Sequence, residues 1–177
     1  MHRALGLAVT LFVASPAIAQ MSFQAETASF VEVAAAKVTA LAGAFADDQY
    51  AWRPADGVRS VEEAIRHIAG TNYWMLTRMG CDIPEETGFT ADYNTVVDFE
   101  GKSGREETEQ VLAASFEHLK SCTLAITDAQ LDAAMDLFGN PGTGRGYLML
   151  TSTHLHEHLG QVVAYARSNG VVPPWSN

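Results

Sequence analysis

The chain has 177 residues, 47% of them hydrophobic, enough for one packed domain and too many for a disordered chain. With 11 basic and 21 acidic residues its formal charge is -10. Such a surface repels phosphate backbones and gains nothing at an anionic membrane, which argues against nucleic-acid binding.

The first residues read as an export signal. Met1-His2-Arg3 is a short basic start, Ala4 to Ala14 an apolar run, and Ala17-Ile18-Ala19 a small-x-small cleavage site after Pro16. The apolar run is well short of the roughly 20 residues a spanning helix needs. The pattern predicts a signal peptide over 1–19, cleavage after Ala19, and a periplasmic or secreted domain over 20–177. No later segment reads as a membrane span, so no stable membrane insertion is expected.

Four helical stretches follow. In the first, about Ser22 to Asp47, Phe23, Phe30, Ala34, Val38, Leu41 and Phe45 form one apolar stripe, and Trp52-Arg53-Pro54 closes it. The second opens on the capping box Ser60-Val61-Glu62-Glu63 and carries Val61, Ile65, Ile68, Met75 and Met79 inward as far as Gly80. A polar stretch from Cys81 to Gly101 has no clear period, and a loop of this length calls for a reason. A crossover between two parallel helices would supply one.

Ser103-Gly104-Arg105-Glu106 reads as another capping box. It opens a third helix with Leu112, Phe116, Leu119, Thr123 and Ile126 inward. Thr127-Asp128 caps a short turn, and Gly139-Asn140-Pro141-Gly142 is a turn cluster. The fourth helix runs from about Thr143 to Ser168 with Leu148, Leu155, Leu159, Val162 and Ala166 inward, and Asn169-Gly170 ends it. Four amphipathic helices and almost no strand pattern predict an all-α four-helix bundle. If the second and third helices are parallel, Cys81 and Cys122 lie near the same end. A disulfide is then geometrically reasonable; otherwise the two are apolar fillers.

His154 and His158, at i and i+4 of the fourth helix, project from one face. His156 is turned about 200° away from His154 and should not share their site. Gln161 and Tyr165 continue the same face and could orient a ring N–H or a bound water. Alone this pair is a weak signal, since two polar residues on a solvated face look the same. It is not the zincin motif, because Gly160 stands where a second His would be required. A third ligand must come from elsewhere. His67 is available in the second helix, with Glu63 four residues before it, while His118 reads as solvent-facing beside Glu117 and Lys120.

These residues carry a resemblance. Trp52-Arg53-Pro54, Ser60-Val61-Glu62-Glu63 with His67, Leu137-Phe138-Gly139, and His154-x-x-x-His158-Leu-Gly160-Gln161 closed by Gly170 and Pro173-Pro174 resemble the DinB-like family of metal-binding four-helix bundles. Leu159 departs from the Arg that usually follows the family's last histidine. The resemblance implies an up-down-down-up bundle with a long crossover between helices 2 and 3. It also implies a three-histidine metal site on His67, His154 and His158, and often a homodimer.

Three imidazoles leave an open coordination position, as in catalytic zinc sites. Imidazole also suits nickel and iron, so the expectation is one divalent transition-metal ion per chain, zinc or nickel ahead of iron. Such a site lowers the pKa of a bound water or thiol. The resemblance points to thiol S-transfer, because some relatives join a low-molecular-weight thiol to an electrophile; metal-dependent hydrolysis is the other enzymatic expectation. Gln161, Tyr165 and Glu63 are the candidate catalytic or orienting residues, with Glu157 as a further acid or base. Export counts against thiol transfer, since such thiols are mainly cytoplasmic. Arg53, Arg66, Arg78 and Arg145 are the candidates to cradle an acidic thiol, although arginines are usually solvated surface charges. The alternative is a non-catalytic module that binds or sequesters a metal or small ligand.

Overall fold

The computed structural model describes residues 21–176; the signal-peptide reading of residues 1–19 lies outside the described residues. Ser22 Oγ accepts the Ala25 N–H at 3.1 Å and starts α1 (Phe23–Ala44). Its inner face is Ala28, Val31, Ala34, Val38, Leu41 and Ala42. Phe30, which the sequence pattern places inward, is instead 59% exposed. It precedes Val31 by one residue, a turn of about 100°, and Val31 takes the inner position. Contrary to the expectation from sequence, α1 is long and apolar enough by length and composition to cross a membrane. The reason is its Ala/Val-rich core face, which packs on two neighbouring helices.

Ser60 and Glu63 form the expected reciprocal cap, with Glu63 N–H on Ser60 Oγ at 3.1 Å and Ser60 N–H on Glu63 Oε2 at 2.7 Å. It opens α2 (Val61–Trp74), which tightens into a 3₁₀ turn over Met75–Met79 and stops at left-handed Gly80 (φ 83°).

The stretch that reads as an aperiodic loop contains a helix, α3 (Asn94–Glu100). Seven residues are too few to show a helical period, but Phe89, Val96 and Phe99 anchor it in the core. Val96 rests on α2 at Gly70, where a Cβ would come within 2.8 Å of Val96 Cγ1. The main third helix is α4 (Arg105–Ala125). The Ser103 capping box does not form: the cap is Gly104 at φ 139°, without a side-chain bond. Glu62 from α2 replaces it, accepting the Gly104 N–H at 2.7 Å and the Thr108 hydroxyl at 2.9 Å.

Thr127 caps the short α5 (Asp128–Asp132). An antiparallel hairpin follows, β1 (Ala134–Asp136) on β2 (Pro141–Thr143), paired Ala134 to Thr143 and Asp136 to Pro141. Thr143 then caps α6 (Gly144–Ser168), which ends at left-handed Gly170 (φ 71°).

Contacts fix how the long helices run. The start of α2 meets the start of α4 through Glu62–Thr108 and Arg66–Glu107, and the segment after α2 meets the end of α4 through Cys81–Cys122. These two helices are parallel, which is why the chain needs the crossover. Arg105 at the start of α4 bonds the Phe45 carbonyl just past the end of α1, so that pair is antiparallel. Tyr147 reaches Met75 and Tyr165 reaches Trp52, so α6 runs against α2. The result is a four-helix bundle, with His67 of α2 facing the middle of α6.

Candidate metal centre

His67 is 4% exposed and lies where α2 faces α6. The rings of His67 and His154 are 5.4 Å apart, those of His67 and His158 4.4 Å, and those of His154 and His158 4.5 Å. One ring nitrogen from each lies within 4.8 Å of the others. The helical i, i+4 spacing supplies two imidazoles from α6, and the packing of α2 supplies the third. His156 lies outside the cluster, exposed, with Nδ1 on the Ser152 carbonyl at 2.8 Å.

Hydrogen bonds set the tautomers. Glu100 Oε1 lies 2.6 Å from His67 Nδ1. Burial alone would raise the Glu100 pKa, but the bonds from His67 and Arg59 outweigh it and hold the carboxyl below its usual range. An ionised carboxylate only accepts, so His67 donates from Nδ1, and it is the Nε2 of the neutral ring that can bind a metal. Arg59 Nε donates to the other Glu100 oxygen at 2.7 Å.

On the opposite side His158 Nδ1 donates to Gln161 Oε1 at 2.8 Å, because Gln161 Nε2 is itself donating to Tyr165 Oη at 2.9 Å. Tyr165 is wedged edge-on against Trp52, ring centroids 5.4 Å apart. Gln161 and Tyr165 thus stand where the helical face places them, and Trp52 backs the row.

The donor set fits a divalent ion. The Nε2 atoms of His154 and His158 are 3.2 Å apart. Two ligands at the zinc–nitrogen distance of 2.0–2.1 Å span about 3.3 Å across a tetrahedral edge. Burial, together with the neighbouring His158 and His67, pushes the His154 pKa down to about 4. Burial likewise lowers that of His158. Both rings are therefore neutral near neutral pH, the form in which imidazole binds metal.

His154 also faces a cavity of about 470 Å³ walled by Trp74, Met75, Tyr93, Phe138 and Leu150, with Glu157 at its edge. Phe138, at the hairpin tip, holds a left-handed backbone (φ 55°), rare for an aromatic residue. Among the described residues, no Lys or Arg lines the cavity.

The remaining candidates are committed elsewhere. Glu63 caps α2 and pairs with Arg53 at 2.8 Å. Arg145 pairs with Asp132, and Arg78 lies over the Phe138 and Tyr147 rings. Arg66, expected among solvated charges, is fully buried: it bonds the Gly104 carbonyl and Glu107 and stacks on Phe99 at 4.5 Å. His118 is not solvent-facing either, but half-buried against Cys81 and Cys122.

The family model described as the DinB superfamily matches residues 31–162, most of the chain. The chain belongs to the DinB superfamily. Among its relatives, the uncharacterised protein YjoA of Bacillus subtilis (strain 168) is 30% identical over 135 residues, 73% of this chain and 80% of YjoA. Solved structures of DinB-like proteins share the fold. The crystal structure of YjoA superposes with a TM-score of 0.63 at 22% identity, covering 83% of this chain and 93% of that one. YfiT of B. subtilis, described as a probable metal-dependent hydrolase with an unusual four-helix bundle topology, gives 0.63 at 15% identity over 90% and 95%. A DinB-like protein of Bacillus cereus gives 0.55 at 20% identity over 84% and 95%.

Proposed function

We propose that this DinB superfamily chain is an exported metal-dependent hydrolase acting on substrates with an apolar or aromatic group beside the scissile bond. The observation that carries it is the convergence of three imidazoles, with ring nitrogens within 4.8 Å of one another, one of which, His154, faces an apolar cavity. One divalent ion, zinc or nickel first, would be held by His67, His154 and His158. It would supply Lewis-acid chemistry and lower the pKa of a water in its open fourth position.

The chain's own residues do the rest. Glu100 and Gln161 hold the two outer imidazoles in the tautomer that presents Nε2. Trp74, Tyr93 and Phe138 exclude water and seat an apolar substrate group. Glu157 stands at the cavity edge as the proton acceptor or donor. Hydrolysis is preferred to thiol transfer because, among the described residues, the cavity wall offers no basic side chain to an acidic thiol. The description of YfiT agrees with this choice. The leader pattern of residues 1–19 supports the export part of this reading.

The test is turnover of aryl and medium-chain acyl esters and amides by zinc- or nickel-loaded protein, beside a thiol-plus-electrophile assay. Hydrolysis that a chelator abolishes, metal restores and His154→Ala lacks is the expected result. Metal-dependent thiol transfer without hydrolysis would overturn the reaction class. A metal-replete protein inert in both assays would make it a binding module.

A further inference from the structure

A second cluster of metal-ligating side chains lies past the C-terminal end of α2. His118 and Cys122 are i and i+4 on α4, one turn apart on the same face. Gly80 turns the chain so that Cys81 meets them. One ligand atom from each of the three lies within 4.8 Å of the others. Cys81 and Cys122 are joined as a disulfide, with Cα atoms 5.9 Å apart.

His118 Nε2 is 3.5 Å from Cys122 Sγ and 3.9 Å from Cys81 Sγ. The ring is half-buried, packed on Tyr73 at 4.9 Å. The two sulfurs are its only hydrogen-bonding neighbours among the described residues. A disulfide gives an imidazole little to bond, since its sulfur is a weak acceptor and carries no proton. Two thiolates and a neutral imidazole, by contrast, are a recognised zinc ligand set with one position open. The arrangement parallels the histidine triad: a helical i, i+4 pair completed by one residue from a neighbouring segment.

We propose that Cys81, His118 and Cys122 form a second, redox-gated metal site. As a dithiol with His118 it takes one thiophilic divalent ion of the zinc or cadmium type, and as a disulfide it takes none. Opening the site is a two-electron reduction. The S–S bond breaks, and a dithiol reductant becomes its own disulfide while delivering two electrons and two protons. Binding then releases both thiol protons as the ion takes two thiolates. The sulfurs are reachable: cavities of about 200 Å³ and about 400 Å³ adjoin Cys81, which is only half-buried.

The experiment uses protein carrying His154→Ala and His158→Ala, so that the triad cannot compete. It is reduced anaerobically with a phosphine, freed of reductant, and titrated with Cd²⁺ while the thiolate-to-cadmium charge-transfer absorption is recorded. Reduced protein is expected to saturate at one ion per chain and oxidised protein to give no band. Cys122→Ser should abolish the band. His118→Ala should keep it but weaken the affinity at least about tenfold. Circular dichroism accompanies each sample. A reduced chain that keeps its helices and gives no band overturns the proposal, as does unchanged affinity in His118→Ala. Loss of helix on reduction also overturns it, since the disulfide would then be purely structural.

Discussion

Glu100→Gln tests the part of the centre that lies outside the three histidines. The carboxylate takes the His67 Nδ1–H at 2.6 Å and so fixes which nitrogen of that ring is left to bind a metal. A hydrogen bond to a charged acceptor contributes about 1.5–3 kcal/mol, and about 1.4 kcal/mol is tenfold in affinity. Glutamine keeps the size and one acceptor oxygen but loses the charge, so zinc affinity should fall about tenfold. Glu100→Ala, which loses the acceptor as well, should fall towards about a hundredfold. Arg59→Gln is the control: it removes the other partner of Glu100, at 2.7 Å, but leaves the His67 bond, and should change affinity much less. The assay is competition with a chromophoric chelator near neutral pH, with helix content checked by circular dichroism. A folded Glu100→Gln protein with unchanged zinc affinity would refute the reasoning, as would an equal loss in Arg59→Gln.

Arg66 is fully buried against Glu62, Glu107 and the Gly104 carbonyl, so Arg66→Ala removes the cation beside Glu62, frees the Gly104 carbonyl and opens a void on Phe99, and should lower stability by about 3 kcal/mol in urea unfolding; a change near zero would contradict its role. The His154 pKa lies at about 4 when folded, against the usual 6.5, because of burial and then the neighbouring His158 and His67. Below the unfolded value the unfolded chain takes the proton first. Stability of the metal-free protein is therefore full above about pH 6.5 and falls as pH drops towards about 4. The urea midpoint should be lower at about pH 5 than at about pH 7, and less so in His154→Gln; equal drops in both proteins would exclude His154 as the cause. Gly144→Ala puts a Cβ into the Gln130 carbonyl at the start of α6 and should cost about 1–3 kcal/mol by thermal unfolding; a neutral change would show that the α5 turn yields freely.

Much of the bundle was legible because its signals are local. The reciprocal cap of Ser60 and Glu63, the stop at Gly80, and the inward stripes of α2, α4 and α6 each need only a few neighbouring residues to be read. His154 and His158 follow from helical spacing, whereas His67 was one available histidine with no spacing signal of its own, and only the family resemblance joined it to the pair. Glu100 could not be found this way. It lies in a helix of seven residues and is one acid among 21 in the chain, and its role exists only because the crossover packs on α2 at Gly70. Arg66 and His118 were misplaced for a related reason. Composition puts such residues at the surface, while the parallel packing of α2 and α4 encloses them. Phe30 shows the converse, an apolar residue displaced from the core by its neighbour Val31.

The most direct test of the central claim is X-ray absorption at the zinc edge, with elemental analysis, on protein loaded with one equivalent of zinc. His67, His154 and His158 together predict one ion per chain, with three imidazole nitrogens at about 2.0–2.1 Å and one light fourth ligand. A chain that retains no zinc, or zinc surrounded by sulfur at about 2.3 Å, would contradict it.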